Sequence, residues 1–485
     1  MKRYKKPDHF DRNLIVVGAG SAGLVSAYIA AAVKARVTLI EKNKMGGDCL
    51  YTGCVPSKAL LRSARIIAQA RRAEEFGFNR IDVDFDFSRV MDRVQRIIRT
   101  IEPHDSIDRY SKLGVECIRG SATITSPYSV EVNGNSLTSR NIIIATGASP
   151  LIPPIQGLDK IAYHTTDTIW QLRTLPNRMV VLGGGPVGSE LSQCFARFGS
   201  TVTQIEMQPR IMFREDPEIS ELITEHFHRD GVQVLVNHTV KSIDTGNGKK
   251  SLICENEGNV TSIEFDELLV AAGRKPNYSG IGLEELNIPV NETGGIATNR
   301  YLQTVFPNIF ACGDVTGTYQ FTHTAAHQAW YAAVNSLFGG LIKFKVDNSI
   351  IPWATFTDPE IARVGLNETE ALNRNIPYEV TRYGIGDLDR AIVDDQAHGL
   401  VKVLTVPGKD KILGATIVSE NAGELITEFI SAMRNGFGLN RILGTIHIYP
   451  TMAEANKYAA GIWKKNHAPQ LFLRWAERYH KWRRR

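Results

Sequence analysis

Two cysteines five residues apart, Cys49 and Cys54, stand in the segment GGDCLYTGCVPSKAL (46–60), with Pro56 and Lys58 close behind. Two thiols at that separation can cycle between dithiol and disulfide, chemistry in which the ionised sulfur is the nucleophile. On a regular helix, residues five apart point about 140° away from each other. Pairing them therefore requires a distorted first turn, and Gly53 supplies the backbone freedom. The alternative is two unrelated thiols at a helix start. Zinc is poorly served, because no second pair of Cys or His lies at ligand spacing nearby. Cys117, Cys194, Cys254 and Cys312 are isolated and read as small buried residues.

The elements around this segment repeat. A β-branched run, LIVV (14–17), leads into GAGSAG (18–23), an Ala-rich helical stretch, and VTLIE (37–41) ending on Glu41. The same order returns as MVVL, GGGPVG (183–188), a helical stretch, and VTQIE ending on Glu206. A single GxGxxG is weak evidence. Two in strand–turn–helix context, each with its acidic residue on schedule, imply two Rossmann units rather than two structural turns. Gly18 and Gly183 permit the tight turn, Gly20 and Gly185 let the backbone approach a pyrophosphate, and Gly23 and Gly188 let helix pack on strand. The pyrophosphate then meets unpaired N–H groups at the helix N-terminus. Glu41 and Glu206 are each placed to accept hydrogen bonds from a ribose. A carboxylate at 206 favours a free 2′-hydroxyl and repels a 2′-phosphate, which predicts NADH over NADPH, although Arg210 is close in sequence.

A length of 485 residues suggests roughly three domains. The 43% hydrophobic and 22% charged composition is that of a globular protein. Six cysteines make no secreted disulfide framework, so the expected compartment is the reducing cytoplasm. The net charge of +5 is concentrated at the ends, in MKRYKK (1–6) and in residues 463–485, leaving an acidic middle. A nucleic-acid binder would instead spread a basic stripe over its fold. The uncharged stretch Leu14–Val33 is long enough to imitate a membrane span, but its three spaced glycines argue for strand and helix.

With these residues in view, the chain resembles the class I pyridine nucleotide–disulfide oxidoreductases, which include dihydrolipoamide dehydrogenase, glutathione reductase and mercuric reductase. NIIIATGASP (141–150), LLVAAGRKPN (268–277), PNIFACGDVTG (307–317) and TDPEIARVGL (357–366) carry the likeness over about residues 10–460. The resemblance implies an α/β fold with two Rossmann-type dinucleotide-binding domains and a C-terminal α+β dimerisation domain. It implies FAD as the cofactor of the first unit, with Thr146, Gly147, Asp314 and Gly273 among the cofactor-binding residues and Asp314 on the ribitol. It further implies that Cys54 lies against the flavin as a charge-transfer thiolate, that Cys49 is the interchange thiol, and that Lys58 pairs with Glu190 beside the isoalloxazine.

One motif departs from the family. Its C-terminal His-Pro-Thr-x-x-Glu, donated across a homodimer, supplies the acid/base for the interchange thiol. Here IHIYPTMAE (446–454) puts Tyr449 in place of that His, while Pro450, Thr451 and Glu454 match. A phenol near pKa 10 is a poor base at neutral pH, where imidazole titrates near 6.5. His447 would share Tyr449's face on a strand and could take over the work. Tyrosine at this place resembles mercuric reductase, yet the C-terminal cysteine pair usual there is absent, since the last cysteine is Cys312.

The expected domains are 10–150 with 280–347 for FAD, 151–279 for NAD(P), and 348–462 for dimerisation, followed by a basic amphipathic tail, 463–485. In that tail Phe472, Trp475, Tyr479 and Trp482 fall in steps of three, four and three, one stripe of a helix after Pro469. Its expected partner is a membrane surface at the inner face or a protein. Three functions follow: an NADH-driven reductase of a thiol or disulfide substrate, a metal-ion reductase, or a membrane-tethered electron carrier serving a protein or quinone. No resident metal is expected.

Overall fold

The computed structural model describes residues 4–485. It divides into two compact units, 4–207 with 238–347, and 208–237 with 348–485. In the first, parallel strands run in the order Val115–Arg119, Val37–Glu41, Arg12–Val17, Asn135–Ile144, Ile309–Ala311. The sheet forms because each strand puts apolar, largely β-branched side chains into the core. Leu14, Ile15, Val16, Ile142, Ile143 and Ile144 are all fully buried. The uncharged N-terminal stretch resolves into that first strand and the helix Ser21–Ala32. Twelve helical residues reach only about 18 Å, far short of a bilayer core. Among the described residues, no helix is long and apolar enough to cross a membrane.

The second glycine loop repeats the arrangement. Thr201–Ile205, Arg178–Leu182 and Glu267–Val270 run parallel, with the helix Pro186–Phe198 between the first two in sequence. In both repeats the acidic residue sits at or just beyond the end of the strand following the helix. The order reverses beside the first strand of each repeat, the crevice in which open α/β sheets bind ligands.

The second unit is built on a five-stranded antiparallel sheet, ordered Pro352–Thr355, Glu360–Gly365, Ile412–Ser419, Leu400–Thr405, Glu379–Gly384. Ala362, Val364, Val401, Val403, Ile417 and Phe429 form its core. Residues 208–237, inside the stretch read from sequence as the NAD(P) domain, fall in this unit by their contacts. Buried charge accounts for the attachment. Lys402, 1% exposed, holds Asp216 at 2.7 Å and Glu368 at 2.6 Å and also pairs with Glu218. Arg363, equally buried, holds Glu370 at 2.8 Å and Glu215 at 3.4 Å and lies over the Trp353 ring. Charges buried at this depth persist only when paired. Sequence periodicity carries no sign of such pairings.

The C-terminus also divides differently from the sequence reading. Trp463, assigned there to the tail, is only 5% exposed and closes the helix Glu454–Asn466 against the core. It stacks on His467, whose Nε2 lies 2.9 Å from Glu379. The exposed helix begins after Pro469, at Gln470, and runs to Arg483 with no buried residue.

Candidate active site

Both glycine loops are sterically committed. Gly18 and Gly183 have φ of +99° and +118°. A Cβ on either would lie 2.4 Å from a carbonyl oxygen, that of Ala145 or Ala271. A Cβ on Gly23 would lie 1.8 Å from Gly18 O, and one on Gly188 2.1 Å from Gly183 O, so only glycine lets these helices pack. The Glu41 carboxylate accepts the Ala19 N–H at 2.7 Å, and the Glu206 carboxylate accepts the Gly184 N–H at 2.6 Å. Each acid therefore braces its own loop. The middle glycines differ: the position of a Cβ on Gly20 faces Gly47 Cα at 4.0 Å, while that on Gly185 opens on free space.

Beside Glu41 lies a cavity of about 530 Å³, bordered by Leu39, Met45, Glu102, Cys117 and Arg119. A carboxylate, an apolar slot and a glycine-lined helix N-terminus are the donor set for the ribose, adenine and pyrophosphate of a dinucleotide, and FAD fits the first loop on these grounds. Asp314 follows Gly313, which carries φ +78°. Burial pushes its carboxyl up to about 6, against the pull of Arg274, whose Nε lies 3.8 Å away. Arg274 also pairs with Asp48, next to the first cysteine. Thr146 and Gly147 meet Asn277 in a paired crossover: Thr146 Oγ1 donates to Asn277 O at 2.6 Å, and Asn277 N donates to Gly147 O at 2.9 Å. Gly273, at φ +124°, starts the return strand, where 274–276 pair antiparallel with 148–150.

Cys49 and Cys54 do not share a distorted first turn. Cys49 lies in the short helix Gly47–Tyr51, the chain breaks at Thr52 and Gly53, and Cys54 opens a new helix, Cys54–Arg71. A Cβ on Gly53 would lie 3.0 Å from Asp48 O and 3.3 Å from Cys49 Cα, so glycine lets the second helix fold back on the first. Both cysteines are thiols, and they are hydrogen-bonded to each other. That bond is the main cause pulling the Cys54 thiol down to about 6, with burial opposing and the Thr322 hydroxyl and Lys58 charge assisting. Thr322 Oγ1 lies 3.5 Å from Cys54 Sγ. The same bond, together with burial, pushes Cys49 far above the usual thiol range. The two shifts run in opposite directions, favouring charge at Cys54 over Cys49. One helical turn on, Lys58 Nζ lies 2.8 Å from the Glu190 carboxylate, which is 5% exposed.

In the C-terminal segment, Tyr449 is 65% exposed and donates its hydroxyl to Asp389 at 3.1 Å. That bond raises the phenol further above its ordinary range. His447 goes elsewhere. Residues 446–450 form no strand, and its side chain, 6% exposed, sits with Nε2 3.0 Å from Glu428 and Nδ1 3.1 Å from Thr445 O. Glu454 is buried at the start of the following helix and accepts the Thr451 N–H at 3.3 Å.

Residues 12–329 match the pyridine nucleotide-disulphide oxidoreductase family, and residues 351–460 match the dimerisation domain of that family. The chain belongs to this family. Among such oxidoreductases, a mercuric reductase of Staphylococcus aureus is 34% identical over 450 residues, 93% of this chain and 82% of that one. A dihydrolipoyl dehydrogenase of Chlamydia muridarum is 35% identical over 448 residues, 91% and 94% of the two chains. A solved structure, the Cu(II) complex of the HOCl-induced flavoprotein disulfide reductase RclA from Escherichia coli, superposes with a TM-score of 0.82. It is 26% identical and covers 93% of this chain and 99% of that one. The family is FAD- and pyridine-nucleotide-dependent, and its members act at sulfur groups.

Two contacts of this oxidoreductase were not read from sequence. Thr322 stands 268 positions from Cys54, outside any motif that spacing could flag. Asp48 stands 226 positions from Arg274, although both lie inside motifs already singled out.

Proposed function

We propose that this chain takes a hydride from NADH, passes the electron pair through FAD to the Cys49–Cys54 couple, and delivers it to a disulfide or thiol-linked acceptor at Cys49. The observation that carries the reading is the placement of the two thiols, Cys49 in one short helix and Cys54 at the start of the next, folded together at Gly53, with the Lys58–Glu190 pair one turn away. FAD supplies the two-electron relay. Cys54 keeps a nucleophilic charge at neutral pH, Lys58 places a cation beside it, and Glu190 fixes that cation. The Gly18–Gly23 and Gly183–Gly188 loops, with Glu41 and Glu206, orient the two dinucleotides. A homodimer would bring Tyr449 and Glu454 to the partner's dithiol. The exposed Ile392, Val393, Ile446 and Ile448 are the kind of apolar surface that such an interface covers.

A second reading is favoured by Tyr449. The bond to Cys54 and burial push the Cys49 thiol up, so disulfide exchange there needs a base, and a phenol raised by Asp389 is unfit for it. A thiophilic metal ion bound by thiolates needs no such base. NADH oxidation measured with lipoamide, glutathione disulfide and Hg²⁺ separates the readings. Under the first, a disulfide is turned over faster than Hg²⁺, and Tyr449→His raises that rate about tenfold or more with a new inflection near pH 6.5. If only Hg²⁺ is reduced, and Tyr449→His leaves disulfide turnover at background, the first reading fails. His447→Ala, run beside it, is expected to lower thermal stability more than turnover, because His447 bonds Glu428 and Thr445 within its own unit.

The preference for NADH rests on Glu206. Arg210 is engaged otherwise, lying over Phe213 and donating to the carbonyls of Phe213 and Glu215. Glu206→Ala is expected to raise the NADPH-to-NADH ratio of kcat/KM about tenfold, and an unchanged ratio would assign the discrimination elsewhere.

A further inference from the structure

We propose that the helix Gln470–Arg483 is a surface anchor for anionic lipid, laying its aromatic face into the interfacial layer of a bilayer. At about 100° per residue, Leu471, Phe472, Trp475, Tyr479 and Trp482 fall within an arc of roughly 100°. Arg474, Arg478 and Lys481 lie along one flank of it. None of the arc is covered: Leu471 is 80% exposed, Phe472 59%, Trp475 60% and Trp482 70%. The rings form one continuous row, with Phe472 and Trp475 at 6.0 Å, Trp475 and Tyr479 stacked at 5.5 Å, and Tyr479 and Trp482 at 6.2 Å.

Composition selects the occupant. Residues 470–485 carry six Lys/Arg against Glu477 alone, and that glutamate is paired with Lys481 at 2.6 Å. The partner must therefore be anionic. Arg483 borders the aromatic arc at the last turn, about 20° beyond Phe472. Sealed in a protein seam it would be a buried charge with no carboxylate of its own helix to meet it. At a bilayer its stem lies along the apolar layer while the guanidinium reaches a phosphate. Tryptophan and tyrosine belong at that depth, with an apolar ring and one polar edge. Fourteen residues span about 21 Å, so the helix lies on the membrane rather than through it. Trp463, His467 and Glu379 tie the preceding helix to the core, and Pro469 sets the break, so the anchor leaves a fixed point.

The test is cosedimentation of the full-length holoenzyme with vesicles of phosphatidylcholine, alone or mixed with phosphatidylglycerol. Binding to the anionic vesicles is expected to be at least about tenfold stronger and to weaken with salt. Trp475→Ser with Trp482→Ser, and separately Arg478→Glu with Lys481→Glu, should each lower it about tenfold or more, with flavin absorbance and soluble NADH oxidation unchanged. Equal binding by both double variants overturns the proposal, as does failure of the parent to bind anionic vesicles. Dispersal of a homodimer by the tryptophan variant, with vesicle binding unchanged, would assign the stripe to a seam between copies of the chain and overturn it too. None of these outcomes depends on the acceptor at Cys49.

Discussion

Replacing Cys54 with serine is expected to lower NADH-driven turnover by about 10³-fold or more, while FAD and NADH still bind. Serine keeps the shape and the contact with Thr322, but its hydroxyl does not ionise near neutrality and cannot form a disulfide. In the parent enzyme reduced by two electrons, the Cys54 thiolate is expected to give long-wavelength absorbance beside the flavin. That absorbance should grow as pH rises through about 6 and fade below it, because the lowered thiol is protonated on the acid side. An unperturbed cysteine would place the midpoint near 8.5. The first cause of the shift is the hydrogen bond from Cys49, and the Lys58 charge is a smaller one. Cys49→Ala should therefore move the midpoint upward further than Lys58→Met, and Cys49→Ser, which still donates, should move it least. The ultraviolet absorbance of the thiolate gives the same order without reference to turnover. A midpoint indifferent to Cys49→Ala, or a band retained by Cys54→Ser, would remove the thiolate from the mechanism.

What was legible in the sequence follows the physics of each feature. The two dinucleotide loops were legible because steric exclusion writes glycine at fixed intervals, and Gly18, Gly23, Gly183 and Gly188 each face a backbone carbonyl that no side chain could replace. The parallel sheet was legible because burial on both faces leaves β-branched runs such as LIVV. The redox pair was legible by its spacing, but not the way it is built: a helix ends at Tyr51 and another starts at Cys54, which a count of residues per turn does not foresee. Long-range electrostatics left no trace. Lys402 is one ordinary lysine in a strand until Asp216, Glu218 and Glu368 surround it. Trp463 joined the tail on composition alone, although its side chain belongs to the core. His447 and Tyr449, two positions apart, suggested a shared face only on the premise of a strand that does not form.

The two glycine loops also make the sharpest structural contrast available to mutation. Gly23→Ala sets a Cβ 1.8 Å from Gly18 O, a fixed backbone atom, so the helix Ser21–Ala32 must lift from its strand. The expected cost is about 3 kcal/mol or more of stability, with the protein isolated poor in flavin. Gly185→Ala meets nothing within 4 Å, and its backbone at φ −76°, ψ 179° suits any residue. It should leave stability within about 0.5 kcal/mol and flavin content at the parent level. Yet its methyl enters the space a nicotinamide dinucleotide's pyrophosphate must approach, so the KM for NADH should rise about tenfold with kcat changed less. Calorimetry, flavin-to-protein absorbance and steady-state kinetics read the pair together. Gly23→Ala as stable and as yellow as the parent would mean the helix has slack the packing does not show. An unchanged KM in Gly185→Ala would mean NADH binds away from the second loop. Because one glycine is required by the protein's own backbone and the other by its ligand, opposite signatures from a single methyl group separate the fold from the function it carries.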